Sequence, residues 1–116
     1  MMTRDFVRWL FEAIDARQWD RLAEFFHPEI EYQRPGYDSL VGLEAVVRFY
    51  REVRVLASGN HQVTAIAIDG THGACWGRYL GSRRDGTPVD IEFADCYEFE
   101  DGKVRRRKSF FYVPLV

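Results

Sequence analysis

The sequence predicts an α+β fold in which a cone-shaped, curved antiparallel sheet wraps around three N-terminal helices. Two observations lead to this prediction. Apolar residues recur with a helical period in the first half of the chain, and from His61 onward they alternate with the period of two that is typical of strands. The 116 residues are 47% hydrophobic and 16% aromatic, which is enough apolar material for the core of a single domain over residues 1–116.

All three helices are predicted before the first long strand. The first covers residues 5–16, where the apolar side chains fall on one stripe. Asp20 is a favourable N-cap for a short second helix through Phe26, because its carboxylate can accept from free amides of the first turn. Gly42 opens the third helix, and the run Ser58-Gly59-Asn60 is expected to end it.

The strands are predicted from alternation and from the turn signals between them. A short strand at residues 29–34 precedes the Pro35-Gly36 turn. Tight turns such as Asp85-Gly86 indicate an antiparallel meander, with the helices covering one face of the sheet. The four strands of this meander are expected at residues 61–68, 73–81, 89–99 and 104–113.

The register of the long hairpin decides which side chains face the core. With Asp85-Gly86 as a two-residue centre, Trp76 lies opposite Asp95, and Arg78 lies opposite Phe93. This register places Asp95 in the middle of an apolar face that also carries Trp76 and Arg78. The other face is then expected to carry a patch of small residues, which predicts a homodimer through this surface: Gly73, Cys75, Gly77, Ala94 and Cys96.

The charge and the cysteines narrow the classes of partner and site. Sixteen basic and eighteen acidic side chains give a formal net charge of −2, which does not favour nucleic acid or an anionic membrane as a partner. No export signal or membrane span is visible, so a cytoplasmic location is expected. Cys75 and Cys96 are expected to face each other as free thiols, and they lack the further ligands of a zinc site, so no metal is expected.

Asp95 is the main candidate for chemistry. Burial among apolar side chains raises the pKa of a carboxyl group, and proteins usually tolerate that cost at functional sites. Asp95 is therefore either a general base or hydrogen-bonding acid that faces a ligand, or a structural partner of Arg78 or Arg107. The sequence leaves both alternatives open. Either arginine can bind an oxygen or an anion of a ligand, because guanidinium presents a fixed fork of donors.

Aromatic residues are the candidates for the wall of a pocket around Asp95. Tyrosine hydroxyls can donate to a developing oxyanion, although core packing explains each ring better than catalysis does. His27, His61 and His72 lie near turns or element ends and are interpreted as surface residues. The predicted ligand-binding residues are Trp9, Tyr32, Arg34, Phe49, Tyr50, Trp76, Phe93, Tyr97 and Phe111.

Several segments together resemble the nuclear transport factor 2-like superfamily, in particular its SnoaL-like polyketide cyclase and ketosteroid isomerase branches, over essentially the whole chain. The resemblance implies the cone-shaped fold, an enclosed pocket, and activity without a metal or organic cofactor. The segments that carry it are Gln18-Trp19-Asp20-Arg21-Leu22, Arg34-Pro35-Gly36, Val41-Gly42-Leu43-Glu44-Ala45, Ala94-Asp95-Cys96-Tyr97-Glu98-Phe99 and Asp101-Gly102-Lys103-Val104.

The resemblance also assigns roles to single positions. Asp95 matches the isomerase acid that hydrogen-bonds the enolate oxygen, and it resembles the acid/base of the cyclases. Leu10 stands where the isomerase has its oxyanion-hole tyrosine, and Arg34 stands where it has its proton-shuttling aspartate, which argues against steroid isomerisation by the usual route. Arg78 and Ser109 stand where limonene-epoxide-hydrolase-like chemistry needs acids.

The expected function is proton transfer by Asp95 at a carbon next to a carbonyl group, in an apolar aromatic or polycyclic substrate, as in cyclisation or isomerisation. Arg78, Arg107 or a tyrosine would stabilise the enolate. The alternative is a non-catalytic domain that binds a hydrophobic ligand or acts as a dimer with its pocket filled. An open cavity at Asp95 favours the enzyme, and a closed one with Asp95 bridged to an arginine favours the alternative.

Overall fold

Helical segments occupy the first part of the chain and long strands the rest, as the change of period predicts. The computed structural model describes residues 1–113. Its helical elements are α1 (Arg4–Asp15), a 3-10 turn (Trp19–Glu24), α2 (Leu43–Arg48) and a π-helical turn (Phe49–Val53). Its strands are β1 (Phe26–Gln33), β2 (Leu40–Val41), β3 (Leu56–Asp69), β4 (His72–Arg83), β5 (Pro88–Glu100) and β6 (Lys103–Phe111).

The six strands form one curved, unclosed sheet in the order β2-β1-β6-β5-β4-β3. Strands β3 to β6 make the predicted antiparallel meander. Strand β1 instead pairs in parallel with β6, so the first long strand of the chain lies beside the last one. The α+β prediction is confirmed. Within residues 1–113, no helix is long and apolar enough to cross a membrane.

Helix α1 packs on the inner face of the sheet. Its bounds, Arg4–Asp15, are close to the predicted residues 5–16. Thr3 caps it, because its side-chain oxygen accepts the Phe6 N–H at 3.2 Å. The predicted apolar stripe is buried from Leu10 onward, whereas Trp9, which the pattern places on the same stripe, is 54% exposed. The ring of Trp9 therefore lies on the outer side of the helix and not in the interior with Asp95.

The other two helices are shorter than predicted. The second is a 3-10 turn that ends at Glu24, and Phe26 already belongs to β1. The third ends in the π-helical turn, and the run Ser58-Gly59-Asn60 is part of β3 and does not end the helix. Ser58 pairs with Ser82 and Asn60 with Leu80, so cross-strand pairing outweighs the local turn signal of these residues.

The hairpin between β4 and β5 turns through three residues, not two. The Arg83 N–H donates to the Thr87 carbonyl at 2.8 Å, which encloses Arg84-Asp85-Gly86 as the loop. Gly86 has φ +90°, as a three-residue loop with a left-handed last position requires. Because the loop is one residue longer than predicted, the register of β4 against β5 shifts by one residue.

This shift exchanges the two faces of β4 and leaves β5 as predicted. Cys75, and not Trp76, lies opposite Asp95, and Gly77 lies opposite Phe93. The predicted placement of Trp76 and Arg78 beside Asp95 is therefore wrong. Trp76 is 48% exposed on the outer face, and the alternation of inward-facing apolar residues along β5 is confirmed.

The predicted patch of small residues is changed by the same shift. Cys75 is fully buried, whereas Cys96 is exposed and lies opposite Ala74. The two thiols are free, but they do not face each other as predicted. In place of Gly73, Cys75 and Gly77, the outer face carries exposed aromatic rings beside its small residues: Trp76, Ala94, Cys96 and Phe110.

Candidate functional site

Asp95 lies at the centre of a buried set of polar side chains, which we call the Asp95 network: Asp95, Arg107, Ser109, Tyr97, Tyr32 and Tyr50. The carboxylate is 1% exposed. Its Oδ2 accepts from Arg107 Nη2 at 2.9 Å and from the Tyr97 hydroxyl at 3.1 Å. Its Oδ1 accepts from Ser109 Oγ at 2.5 Å. The register of β5 and β6 sets these contacts, since Ser109 lies directly opposite Asp95.

The network holds Asp95 in its ionised form. Burial raises the pKa of this carboxyl group, but the charge of Arg107 and the hydrogen bonds from Ser109 and Arg107 outweigh burial and leave the pKa below its usual value. Arg107 is also 3% exposed, and its Nη1 donates to the Tyr50 hydroxyl at 2.6 Å. Every oxygen of the Asp95 carboxylate thus has a donor.

A chain of hydrogen bonds extends from this network toward Arg34. Because Ser109 donates to Asp95, its oxygen can accept from the Tyr32 hydroxyl, which lies 2.8 Å away. Arg34 Nη1 donates to the Tyr32 oxygen at 2.9 Å. Arg34 is 6% exposed and packs its guanidinium over the rings of Phe49 and Phe111. The arginine predicted at a ligand site is therefore part of the interior.

A second polar group lies beside the network, and we call it the His61 edge: His61, Asp15 and Arg54. Asp15 is the last residue of α1, a position where the helix dipole disfavours a carboxylate, so a specific partner is expected. Its Oδ2 accepts the backbone N–H of His61 at 2.9 Å, and its Oδ1 accepts from His61 Nδ1 at 2.5 Å. Asp15 therefore fixes the position of the ring and the proton on Nδ1.

The surroundings of His61 keep its ring neutral. Burial lowers the pKa of His61, and the hydrogen bond and charge of Asp15 offset this only in part. The rings of Phe11, Tyr79 and Phe93 surround the imidazole with centroid distances of 4.7, 4.8 and 5.2 Å. With Nδ1 protonated, Nε2 carries the free electron pair. Within residues 1–113 no hydrogen bond reaches Nε2.

Arg54 completes the His61 edge. It follows the π-helical turn, is 5% exposed, and stacks its guanidinium on Tyr50 and Tyr79 at 5.1 and 5.6 Å. Its Nε is buried and has no hydrogen-bond partner. No carboxylate of residues 1–113 forms an ion pair with Arg54.

A small interior cavity joins the two groups. It has a volume of about 10 Å³, roughly the space that one water molecule needs. Residues of both groups line it together with apolar side chains: Arg34, Arg54, Leu56, His61, Tyr79, Ile91, Phe93, Asp95, Arg107, Ser109 and Phe111. The cavity brings a neutral imidazole, a paired carboxylate and three guanidinium groups to one place.

Larger concavities lie on the surface, and one of them is lined in part by Tyr97 and Arg107 of the Asp95 network. An open groove of about 800 Å³ runs between the start of α1 and the β5–β6 turn, lined in part by Phe6 and Trp9. Another, of about 530 Å³, lies on the outer face of the sheet beside Cys96. Neither contains Asp95 or His61, so we place the site in the small interior cavity, where the buried ionisable groups converge.

Known proteins resemble this chain in both sequence pattern and fold. The family model of the SnoaL-like domain matches residues 7–107. The chain belongs to the SnoaL-like domain family. Among curated proteins, no sequence matches this SnoaL-like domain.

Solved structures confirm the NTF2-like fold. An NTF2-like protein of unknown function from Burkholderia pseudomallei K96243 superposes with a TM-score of 0.85 at 18% identity, covering 95% of this chain and 92% of that one. A candidate SnoaL-like polyketide cyclase from Jannaschia sp. CCS1 gives 0.82 at 17% identity, with 93% and 83% covered. A candidate ketosteroid isomerase from Kribbella flavida DSM 17836 gives 0.79 at 21% identity, with 97% and 79% covered.

The structure brings together most, but not all, of the residues that the sequence singles out. Asp95 and Arg107 are in contact, whereas Arg78 lies on the outer face, where it pairs with Asp90 at 2.5 Å. The exposed Trp9 and Trp76 do not line the interior cavity. The other predicted ligand-binding residues are buried in the interior or packed at its edge: Tyr32, Arg34, Phe49, Tyr50, Phe93, Tyr97 and Phe111.

The sequence interpretation missed the His61 edge. The sequence predicts His61 at the surface near a turn, but its side chain is 9% exposed. The one local signal is Asp15 in the last turn of α1, where a carboxylate is unfavourable without a partner. The partner lies 46 positions further along the chain, so the pair itself depends on the packing of α1 against β3.

One surface cluster has the residue types of a metal site. His27, Glu100 and Asp101 place ligand atoms within 4.8 Å of one another. However, His27 Nδ1 accepts the Glu29 N–H at 3.0 Å, so the ring proton lies on Nε2, the nitrogen that faces Glu100 at 3.3 Å. A metal ion would have to displace that proton. The cluster is therefore arranged around an N–H donor and not around a metal ion. The expectation of an activity without metal or cofactor stays a prediction.

Proposed function

We propose that this SnoaL-like domain is an enzyme that transfers a proton at a carbon next to a carbonyl group, with His61 as the base. The observation that supports this proposal is the contact of 2.5 Å between His61 Nδ1 and Asp15 at the wall of the interior cavity. A neutral imidazole with a fixed tautomer is a suitable general base near neutral pH, since burial lowers its pKa and keeps Nε2 unprotonated.

The contacts favour His61 over Asp95 for this role. The sequence and the resemblance assign proton transfer to Asp95, but its oxygens already accept four hydrogen bonds from Arg107, Ser109 and Tyr97. Its lowered pKa makes it a weak base, and it also prevents the carboxyl group from being the protonated donor that an enolate needs. In the proposed mechanism Asp95 orients Arg107.

The guanidinium groups supply the other half of the proposed mechanism. As His61 Nε2 removes a proton from carbon, negative charge moves onto the carbonyl oxygen. Arg54 and Arg107 line the same cavity as His61, so their guanidinium groups are the proposed stabilisers of that oxygen. Positioned acid–base catalysis of this kind contributes about 10²–10⁴-fold to the rate.

The size of the cavity argues for a small substrate. A volume of about 10 Å³ does not hold the polycyclic substrate expected from the sequence. We therefore propose a compact carbonyl compound, bound after lining side chains move. The names of the cyclase and isomerase relatives agree with proton transfer as a class of reaction, while identities of 17% and 21% leave the substrate to be determined from this site.

Deuterium exchange tests the proposed base. The wild-type protein is incubated in deuterium oxide with a series of ketones from acetone to benzylacetone and with pyruvate, and loss of the α-proton signal is followed by nuclear magnetic resonance. We expect His61→Gln to lower the exchange rate by about 10²–10⁴-fold. His72→Gln is the matched control, because His72 is exposed and pairs only with Glu98 at the surface. Equal rates for wild type and His61→Gln with every ketone contradict the proposal.

The second candidate function is a non-catalytic domain that works as a homodimer. The closed cavity and the Asp95–Arg107 ion pair favour it. The outer face is suited to self-association, because Trp76 and Phe110 are 48% and 45% exposed there. Glu98 on β5 and Lys108 on β6 also give this face both signs of charge, so a two-fold arrangement can pair acids with bases across the interface.

A further inference from the structure

Arg54 is a buried cation whose needs the described chain does not meet. A guanidinium that loses water requires hydrogen-bond acceptors or an opposite charge, and leaving it without them costs stability. In Arg54 the Nε atom is buried without a partner, and the faces of the guanidinium rest on the rings of Tyr50 and Tyr79. Stacking satisfies the flat faces of the group, but it does not use its N–H donors.

The neighbouring carboxylates are committed to other groups. Asp95 accepts hydrogen bonds from Arg107, Ser109 and Tyr97. Asp15 accepts from the backbone N–H and from the ring Nδ1 of His61. Within residues 1–113, Asp95 is the one acid that lines the interior cavity. The charge on Arg54 therefore has no counter-charge of its own among the described residues.

The surroundings of Arg54 agree with a site that is completed by an anion. Burial lowers the pKa of Arg54, and Arg34 lowers it further by repulsion, while the tyrosines oppose this effect. An anionic group placed between Arg54 and the cavity would reverse both costs. The volume of about 10 Å³ holds about one water molecule, so an anionic group enters only as the lining side chains move, and a planar carboxylate needs less added room than a tetrahedral phosphate.

We propose that Arg54 binds a carboxylate group of the substrate inside the cavity beside His61. This inference rests on the proposed function and makes it more specific, because the substrate becomes a small oxo acid. The carboxylate would accept from the Nε–H and an Nη–H of Arg54 as a fork, and the adjacent carbonyl group would present its α-carbon to His61 Nε2. Arg54 is thus a substrate-binding residue.

Thermal unfolding with matched probes tests this site. A ligand that binds only the folded state raises the melting temperature, so pyruvate and phenylpyruvate should stabilise the wild type, by roughly 5 °C near saturation. Methyl pyruvate, which lacks the charge, should not. Inorganic phosphate at the same concentration is the third probe, and equal stabilisation by phosphate would overturn the assignment to a carboxylate.

Three variants locate the effect. Arg54→Met should weaken pyruvate binding by roughly 10- to 100-fold, the range expected for hydrogen bonds to a charged group. Without ligand it should melt at or above the wild-type temperature, because it removes a buried charge that lacks a partner. Arg48→Met is the control, since Arg48 lies on the exposed side of α2 and pairs with Glu52. Arg54→Lys keeps the charge without the fork and should bind pyruvate with intermediate affinity.

The outcomes separate this inference from the proposed function. If His61→Gln abolishes exchange and still binds pyruvate, both stand. If it exchanges as fast as wild type and binds pyruvate, only the assigned base fails. If Arg54→Met binds pyruvate as tightly as wild type, Arg54 is structural and the carboxylate site is overturned. The same conclusion follows if Arg54→Met melts far below wild type while Arg54→Lys binds pyruvate as wild type does.

Discussion

The Asp95 network and the His61 edge differ in how completely their hydrogen-bonding groups are used. Asp95 and Arg107 satisfy each other, with Ser109, Tyr97 and Tyr50 filling the remaining positions. At the His61 edge, Nε2 of His61 and Nε of Arg54 have no partner within residues 1–113. The comparison indicates that the network stabilises the fold, whereas the edge has donors and acceptors available for a ligand.

The two groups are also built differently. The contacts of Asp95 with Arg107 and Ser109 follow from the pairing of β5 with β6, so they form whenever these neighbouring strands pair. The contacts of the edge join the end of α1 to β3 and to the segment after the π-helical turn. An interaction between separate elements can rearrange when those elements shift as a ligand enters, while residues on paired strands stay next to each other as long as the strands remain paired.

Asp95→Asn is expected to give the largest effect, and it tests whether the Asp95 network stabilises the fold. The substitution leaves the Arg107 guanidinium buried without its counter-charge, and the loss of one partner of a buried pair costs roughly 3–5 kcal/mol. We expect a large fall in the free energy of unfolding, measured by urea denaturation near neutral pH. Arg107 and Asp95 are 3% and 1% exposed, so water does not screen the change.

The surface pair provides the control for this measurement. Asp90→Asn removes the partner of Arg78, but both side chains are about half exposed, and we expect little change in unfolding. If Asp95→Asn unfolds at the wild-type urea concentration, then Asp95 is not structural. Asp95 would then again be the candidate base, and the Asp95 network and the His61 edge would no longer differ in function.

The parts of the site that the sequence predicts are those that depend on local alternation. The period-two pattern from Val89 to Phe99 places Asp95 correctly on the inner face of β5. The same reasoning fails for β4, because the β4–β5 loop has three residues and every facing pair shifts by one. Trp76 is a large apolar residue, and its exposure could not be anticipated from hydrophobicity alone.

The His61 edge depends on tertiary packing, which the pattern of a single chain does not contain. His61 follows Ser58-Gly59-Asn60, and these residues predict a turn when they are considered alone. Pairing with β4 extends β3 back to Leu56, which turns the imidazole inward toward α1. Arg54 resembles any other arginine of a charged helical segment until the fold buries it.

The pH dependence of the free energy of unfolding tests whether the ring of His61 is neutral in the folded protein. The folded-state pKa of His61 is lowered from 6.5, so the unfolded chain takes up a proton below pH 6.5 that the folded chain does not. The free energy of unfolding should therefore fall as the pH falls below 6.5, with a slope of at most about 1.4 kcal/mol per pH unit for one proton. Above that pH this contribution is constant.

His61→Gln should flatten that slope, whereas His72→Gln should leave it as in wild type, because His72 is exposed. Urea unfolding at a series of pH values measures both. Asp95 contributes at lower pH, since its pKa is lowered from 3.8 and its stabilisation is lost as the pH falls through the folded-state value. A steeper slope in His61→Gln than in wild type would show that the imidazole is charged when folded, and so is not the free base.

Thiol labelling gives the smallest effect, because it leaves the fold unchanged while testing the register on which the comparison depends. Cys75 is fully buried beside Asp95, and burial raises the pKa of its thiol to about 12, so it should not react in the native protein. Cys96 is exposed and should react as one thiol per chain. Equal reactivity of both would restore the predicted two-residue turn.

Because Cys96 lies on the outer face beside Ala94, its labelling rate should also fall as protein concentration rises if the chain dimerises through that face. A rate independent of concentration from the nanomolar to the micromolar range contradicts this dimer.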